Sequence, residues 1–314
     1  MFVPNPFDVS NAQLKLNVTS IAIRPILEHQ VFLLAHTASK DGLRGEVLDQ
    51  NMTTENAFER FALLASDSHR AREAYEILKD REDWVPLEQA DAAIVLGGDG
   101  FMLQTLHSML DSGRVIPAYG MNRGTVGFMM NRYRSSANVI RLATRARLFK
   151  IRPLRMDAVT QDGETHTYRA INEVSLLREM RQTAKIEVSV NGRVRIEQLI
   201  CDGVLLSTPA GSTAYNLSAN GPILPLGCDL LALTPISPFR PRRWSGAILP
   251  DHLPVKFRIL EAKKRPVSAV ADQRELRNIA EVTLTVERET ELTLLFDKGH
   301  SLDERIVAEQ FAWD

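Results

Sequence analysis

Cysteine, excess charge of either sign and long apolar runs are all scarce in this chain, and each shortage excludes something. Two cysteines, Cys201 and Cys228, occur with no CxxC spacing, so a disulfide framework or a thiolate zinc site is not expected. Lysine and arginine (38) nearly balance aspartate and glutamate (39), leaving a formal net charge of -1. No global field therefore draws the chain to nucleic acid or to an anionic membrane, and neither is expected as a partner. No apolar run reaches the roughly 18 to 20 residues of a membrane span. The N-terminal candidates at 21–27 and 31–35 are interrupted by Arg24, Glu28 and His29 and lack a small-residue cleavage pattern. The histidines show no HExxH or HxxxH spacing, which removes the familiar helical zinc motifs. The cytoplasm is the compartment these absences leave.

What is present is a globular composition, 44% hydrophobic and 25% charged, in 314 residues, enough for one large domain or two ordinary ones. Residues 1–55 show Pro4, Pro6 and short apolar stretches without periodicity, and read as a poorly ordered extension or a mis-assigned start, with Met52 close to the change. From Phe58 the pattern is regular. A strand is predicted at 58–66, and a helix at 67–80 with Asp67 or Ser68 as N-cap. A buried parallel strand follows at 91–96, then a helix from Phe101, a strand at 115–119 and a helix at about 135–148. Strands alternating with helices predict a parallel α/β sheet. From Ile151 the runs are short and strand-like. Those at 185–190 and 193–199 flank Asn191-Gly192, a strong hairpin signal. Others are predicted at 203–208, 255–260, 266–271, 281–286 and 291–296. A last helix is predicted at 301–311, with Ser301 and Glu304 as a capping box.

Three features carry chemistry. The first is Gly97-Gly98-Asp99-Gly100 between a buried strand and a helix. Glycines there let backbone N–H groups approach a phosphate, and the helix N-terminus favours an anion. The tetrapeptide lacks the Walker Lys-Ser/Thr and the GxGxxG spacing, and on its own fits equally a tight turn with Asp99 as N-cap. The second is residues 207–223, STPAGSTAYNLSANGPI, rich in neutral donors and acceptors and suited to a sugar, an amide or an adenine. A Ser/Thr-rich loop is the plainer reading. The third is Asn172-Glu173 in RAINEVSLL, where Glu173 interrupts an apolar run. That placement is costly unless the carboxylate is paired, faces a cleft or sits on a solvated edge.

Taken in order, GGDG, NE, CDG and GSTAY, with MNRGTVGF at 121–128, resemble the ATP/polyphosphate-dependent NAD kinase family from about Phe58 onward. GGDG alone is shared with the diacylglycerol kinase and phosphofructokinase-like superfamily; NE and GSTAY select NAD kinase. The resemblance implies an NAD kinase-like fold: an α/β, Rossmann-like domain at 56–149 plus 298–314, and a mostly β, sandwich-like NAD-binding domain at 150–297. It implies transfer of the terminal phosphoryl of ATP to the 2′-hydroxyl of the adenosine ribose of NAD, giving NADP, with Mg2+ bound to the ATP. It implies self-association as a homodimer or homotetramer.

The resemblance assigns Asp99 as the proton acceptor, with Gly100 beside it, and Asn172 and Glu173 to ribose or phosphate groups. It places Asp202, Ala210, Thr213, Ala214, Tyr215, Asn216, Leu217 and Ser218 along the rest of the dinucleotide pocket. Asp272 falls where the family often carries an acidic residue before Gly, although Gln273 follows here; Ile200 stands where relatives often carry Arg or Gly. A carboxylate at a helix N-terminus is a weak base, so Asp99 is expected to orient the hydroxyl and take its proton late. On the residues alone, a lipid or sugar kinase of the superfamily and a non-catalytic dinucleotide-binding regulator remain open.

Overall fold

The computed structural model of the chain describes residues 57–125 and 127–298. The first region runs β1 (Phe61–Ala65), α1 (His69–Leu78), β2 (Ala92–Gly97), α2 (Asp99–Ser112), β3 (Ala118–Asn122), β4 (Asn131–Arg132), α3 (Val139–Thr144) and β5 (Arg147–Ile151). Ser68 caps α1, its hydroxyl accepting the N–H of Ala71 at 3.3 Å. Ala71, Ala74 and Leu78 recur at helical spacing and face inward. Gly98 caps α2, and Gly113, at φ 71, ends it in the left-handed region that glycine enters without penalty.

The β-rich region follows in chain order. It comprises β6 (Leu154–Thr160), β7 (Thr165–Ala170), β8 (Glu173–Arg178), β9 (Ala184–Val190), β10 (Arg193–Cys201) and β11 (Gly203–Ser207). After the short α4 (Tyr215–Ser218) come β12 (Leu230–Ile236), β13 (Ala247–Pro250), β14 (Val255–Ile259), β15 (Val267–Ala271), β16 (Arg274–Leu276), β17 (Ile279–Val286) and β18 (Leu292–Phe296).

Three sheets result. The first has the order β1-β2-β3-β18-β5, parallel except for the β18–β5 pair, with β4 beside β3. Along β2, Ala93 and Val95 pack with Met102, Leu106 and Met109 of α2, while Ala92, Ile94 and Leu96 pack with Ala71 and Leu78 of α1 and Val139 of α3. A strand covered on both faces must be apolar throughout, and β2 is buried at every position. The second sheet (β10-β9-β14-β17-β6-β7) and the third (β13-β12-β11-β8-β15-β16) are antiparallel. They share one core, in which Ile186, Val188, Phe257 and Leu284 meet Leu176, Val204, Leu206 and Leu231. This is a β-sandwich.

Several boundaries differ from those the pattern predicts. The strand placed at 115–119 begins at Ala118: Pro117 has no N–H to give a ladder, and Val115–Pro117 serve as the connection from Gly113. The helix placed at 135–148 is confined to Val139–Thr144, and Arg147–Ile151 is a strand instead. Its partner is β18, with Ile151 opposite Leu292 and Arg147 opposite Phe296. So β18, assigned from the sequence to the β-rich part, completes the first sheet. Asn191 and Gly192 turn the predicted hairpin with φ of 50 and 72. The segments read as an extension (1–55) and as a terminal helix (301–311) lie outside the described residues.

Candidate active site

The glycine-rich turn is built by two loops brought back to back. Gly98 supplies the first α-helical acceptor, its carbonyl receiving Phe101 N–H and Met102 N–H at 3.1 Å each. Asp99 is therefore the first residue of α2 and not its cap. Its carboxylate turns to the loop after β3, where one oxygen accepts Phe128 N–H at 2.8 Å and the other accepts Met129 N–H at 2.9 Å. Arg123 N–H reaches Gly97 O at 2.6 Å, and a Cβ on Gly124 would lie 3.4 Å from Gly98 Cα. Gly100 is exposed, and a Cβ there would meet nothing within 4 Å. Among the described residues no packing demand keeps this position a glycine, so Gly100 leaves room beside Asp99.

The second wall forms where three strands of the third sheet end together. Glu173 opens β8 opposite Ser207, which closes β11, and Ala271, which closes β15, pairs with Val174. Asp272 follows at φ 52, a conformation that Asp tolerates better than most side chains. Its wholly buried carboxylate takes four donors. Ile171 N–H (2.6 Å) and His107 Nε2–H (2.7 Å) go to one oxygen; Asn172 N–H (2.9 Å) and Glu173 N–H (3.2 Å) go to the other. Asn172 O accepts Thr208 N–H at 2.9 Å, and the Thr208 hydroxyl donates to Ile171 O at 2.7 Å. The main chain of residues 171–173 is thus fixed from both sides.

Asn172 Oδ1 and Glu173 Oε2 are buried and have no partner among the described residues, which is costly unless a ligand supplies one. Burial, and then the nearby Asp272 charge, push the Glu173 carboxyl up to about 8, against the pull of the Tyr215 N–H. At neutral pH it is chiefly the protonated acid and can donate a hydrogen bond to a ligand oxygen. Tyr215 is itself raised, by desolvation and then by Glu173.

The family model of the ATP-NAD kinase N-terminal domain matches residues 2–146, and that of the ATP-NAD kinase C-terminal domain matches residues 171–295. The chain belongs to the NAD kinase family. The NAD kinases of Zymomonas mobilis and Rhizorhabdus wittichii are 60% and 59% identical to it over 254 residues, 81% of this chain and 98% of each relative. Among solved structures it resembles yeast NADH kinase complexed with NADH (TM-score 0.69, 20% identity, 82% of this chain and 89% of that one). It also resembles an NAD kinase from Archaeoglobus fulgidus in complex with ATP (TM-score 0.65, 22% identity, 80% and 98%). The N-terminal match begins at residue 2, so it takes in the first 55 residues, which the motifs had left without a counterpart.

Within this NAD kinase fold the positions singled out from the sequence separate into three groups. Asn172, Glu173 and Tyr215 converge, and Thr213, Ala214 and Leu217 lie half-buried in the adjoining turn, with Ser218 exposed at its edge. Ala210 is buried in the apolar cluster of α2, and Asn216 is wholly buried. The amide of Asn216 donates to Ser212 O (3.1 Å) and Pro222 O (2.9 Å), while its Oδ1 accepts the Thr234 hydroxyl at 2.7 Å. That side chain clips the loop shut and is already carrying three hydrogen bonds. Asp202 lies at the opposite end of β11, six residues from Thr208 and so about 20 Å away along an extended strand. There it pairs with Arg178 at 2.6 Å. It does not join the other site residues.

The motifs missed two contributors. The main-chain donors of Phe128 and Met129 leave no side-chain signature, although MNRGTVGF marks the loop that supplies them. His107 stood unremarked in the helix; its signal was only its place on the face of α2 two turns from Asp99.

Proposed function

We propose that this chain transfers the terminal phosphoryl group of ATP to the 2′-hydroxyl of the adenosine ribose of NAD, yielding NADP. The observation that carries the reading is the pairing of Asp99, at the first turn of α2, with the open space beside Gly100. Phosphoryl transfer needs alignment and charge stabilisation more than covalent help from the protein. The N-terminus of α2 offers partial positive charge and main-chain N–H groups to phosphate oxygens. Each Asp99 oxygen accepts a main-chain N–H, from Phe128 on one and Met129 on the other, and a carboxylate oxygen can accept more than one hydrogen bond. One of these oxygens can receive the ribose hydroxyl, orient it, and take its proton as the new P–O bond forms. Asn172 Oδ1 and the protonated Glu173 carboxyl supply an acceptor and a donor for the dinucleotide.

Among the described residues no three His, Cys, Asp or Glu side chains converge as metal ligands would. In this proposal Mg2+ would arrive with the triphosphate and would offset the charge of the transferring group. Homo-oligomerisation, as a dimer or tetramer, belongs to the same proposal and would give the remote Asp202 a neighbouring site to serve. Cytoplasmic residence belongs to it too; among the described residues no helix is long and apolar enough to cross a membrane.

The test is an NADP-forming assay of the purified chain, with ATP and inorganic polyphosphate as separate donors. NADP formed with ATP supports the proposal; NADP formed only with polyphosphate overturns the donor, and none with either overturns the activity.

A further inference from the structure

The four donors on Asp272 are not equivalent. Three are consecutive main-chain N–H groups of residues 171–173, and the fourth, His107 Nε2–H, comes from another layer of the molecule. His107 lies on α2, eight residues beyond Asp99 and hence about 12 Å along the helix axis. The contact is nearly closed to water, with the imidazole 14% exposed and the carboxylate 0%. One turn further along the same helix face, Asp111 pairs with Arg274. Residues i and i+4 of α2 thus hold Asp272, the first residue of the Asp272-Gln273 turn, and Arg274, the first residue of β16 after it, with Ala271 opposite Arg274.

We infer that His107 is a positioning residue. It holds Asp272, and through it the Ile171–Glu173 main chain, in register with the helix that begins at Asp99. The functional consequence rests on the kinase reading above; the positioning itself does not.

The sequence-distant link explains what a purely local anchor would not. Asn172 and Glu173 are already fixed within their own sheet by Thr208 and by strand pairing. What the sheet cannot set is their distance from Asp99, which belongs to a different sheet and helix. A hydrogen bond from α2 to the residue that holds their N–H groups sets that distance. Its loss should therefore disturb use of the dinucleotide more than use of the phosphoryl donor, whose contacts lie at the start of α2.

The experiment compares the full chain with His107→Leu, which removes the donor at similar volume, and His107→Gln, whose amide can place a donor near the same point. Initial rates are measured separately against NAD and ATP, with hydrogen–deuterium exchange of the 171–173 amides as a second readout. His107→Leu is expected to lose about tenfold in kcat/KM for NAD, in proportion to one hydrogen bond to a charged group, while KM for ATP holds. Exchange at residues 171–173 should accelerate, and His107→Gln should recover most of both effects. Equal losses in the Leu and Gln variants would overturn the inference. So would a fall in melting temperature with unchanged exchange and unchanged kcat/KM for NAD. If His107→Leu does not fold, His107→Asn, polar but too short to reach Asp272, takes its place against the Gln variant. If the native chain makes no NADP, the function fails while the exchange comparison still decides the positioning.

Discussion

Gly211 and Asn172 approach so closely that a Cβ on the glycine would lie 2.2 Å from the Asn172 carbonyl oxygen. The obstacle is main chain, held by Thr208 N–H and the Ser207 hydroxyl, so it cannot swing aside as a flexible side chain would. The GSTAY turn therefore seats on the NE segment only with glycine at this position. Gly211→Ala is expected to destabilise the chain by about 1–3 kcal/mol, as overpacking against rigid neighbours does. It should also weaken use of NAD. Urea unfolding and KM for NAD check it, and an unchanged KM would contradict it.

Asp99→Asn removes more than a proton acceptor. One carboxylate oxygen becomes an NH2 group and is set against a main-chain N–H of Phe128 or Met129, donor facing donor. Turnover should fall by about three orders of magnitude or more, and the 127–130 segment should loosen as well. Single-turnover rates together with amide exchange over 127–130 measure both. Near-normal turnover would remove Asp99 from the reaction; unchanged exchange would remove it from the loop.

Glu173 gives a pH dependence of definite sign. Below its ordinary value near 4.5 both folded and unfolded chains carry the proton, and the group contributes nothing. Between there and about 8 the folded chain keeps a proton that the unfolded chain releases. Stability therefore declines through that window as pH rises, and levels above it. Glu173→Gln, neutral throughout, should lack this decline and be more stable than the native chain above pH 8 by up to a few kcal/mol. Urea denaturation of both forms from pH 5 to pH 9 (about two units either side of neutrality) tests this, and parallel profiles would count against it.

Asn216→Ala should act as a loss of structure before a loss of binding. It deletes three hydrogen bonds, two of them fully buried, and strands the carbonyls of Ser212 and Pro222 and the Thr234 hydroxyl. A cost of about 2–4 kcal/mol is expected from unsatisfied buried groups. Calorimetry gives the cost directly. A variant with native melting behaviour but poor NAD affinity would make Asn216 a ligand contact after all.

What the sequence revealed follows how locally each feature is determined. The run from Ala92 through α2 was legible because an apolar strand, a glycine turn and a helical stripe stand side by side. The Asn191-Gly192 hairpin was legible because its turn chemistry lies within two residues. The partnership of β5 with β18 was not, since Arg147–Ile151 has no local reason to prefer strand over helix until Leu292–Phe296 lies beside it. The candidate site divides the same way. Asp99, Asn172 and Glu173 announce themselves as misplaced charge or polarity. The main-chain donors to Asp99 lie 29 and 30 residues further on and carry no side-chain mark. Asn216 shows the converse: a polar residue within a binding-like run can spend its side chain on tying the run to itself and to Thr234 of β12.

The return of β18 has a consequence for how the molecule is made. Strands β6 to β17 are an insertion whose two ends leave from neighbouring antiparallel strands, β5 and β18. Because β18 lies between β3 and β5, the latter cannot join the first sheet until the whole sandwich has been synthesised and its ends brought together. Closing so long a loop costs entropy that only the finished insertion repays. The sheet that leaves the ribosome first is thus the last to be completed, and Asp99 waits on a strand encoded almost two hundred residues downstream, by count from β2 to β18.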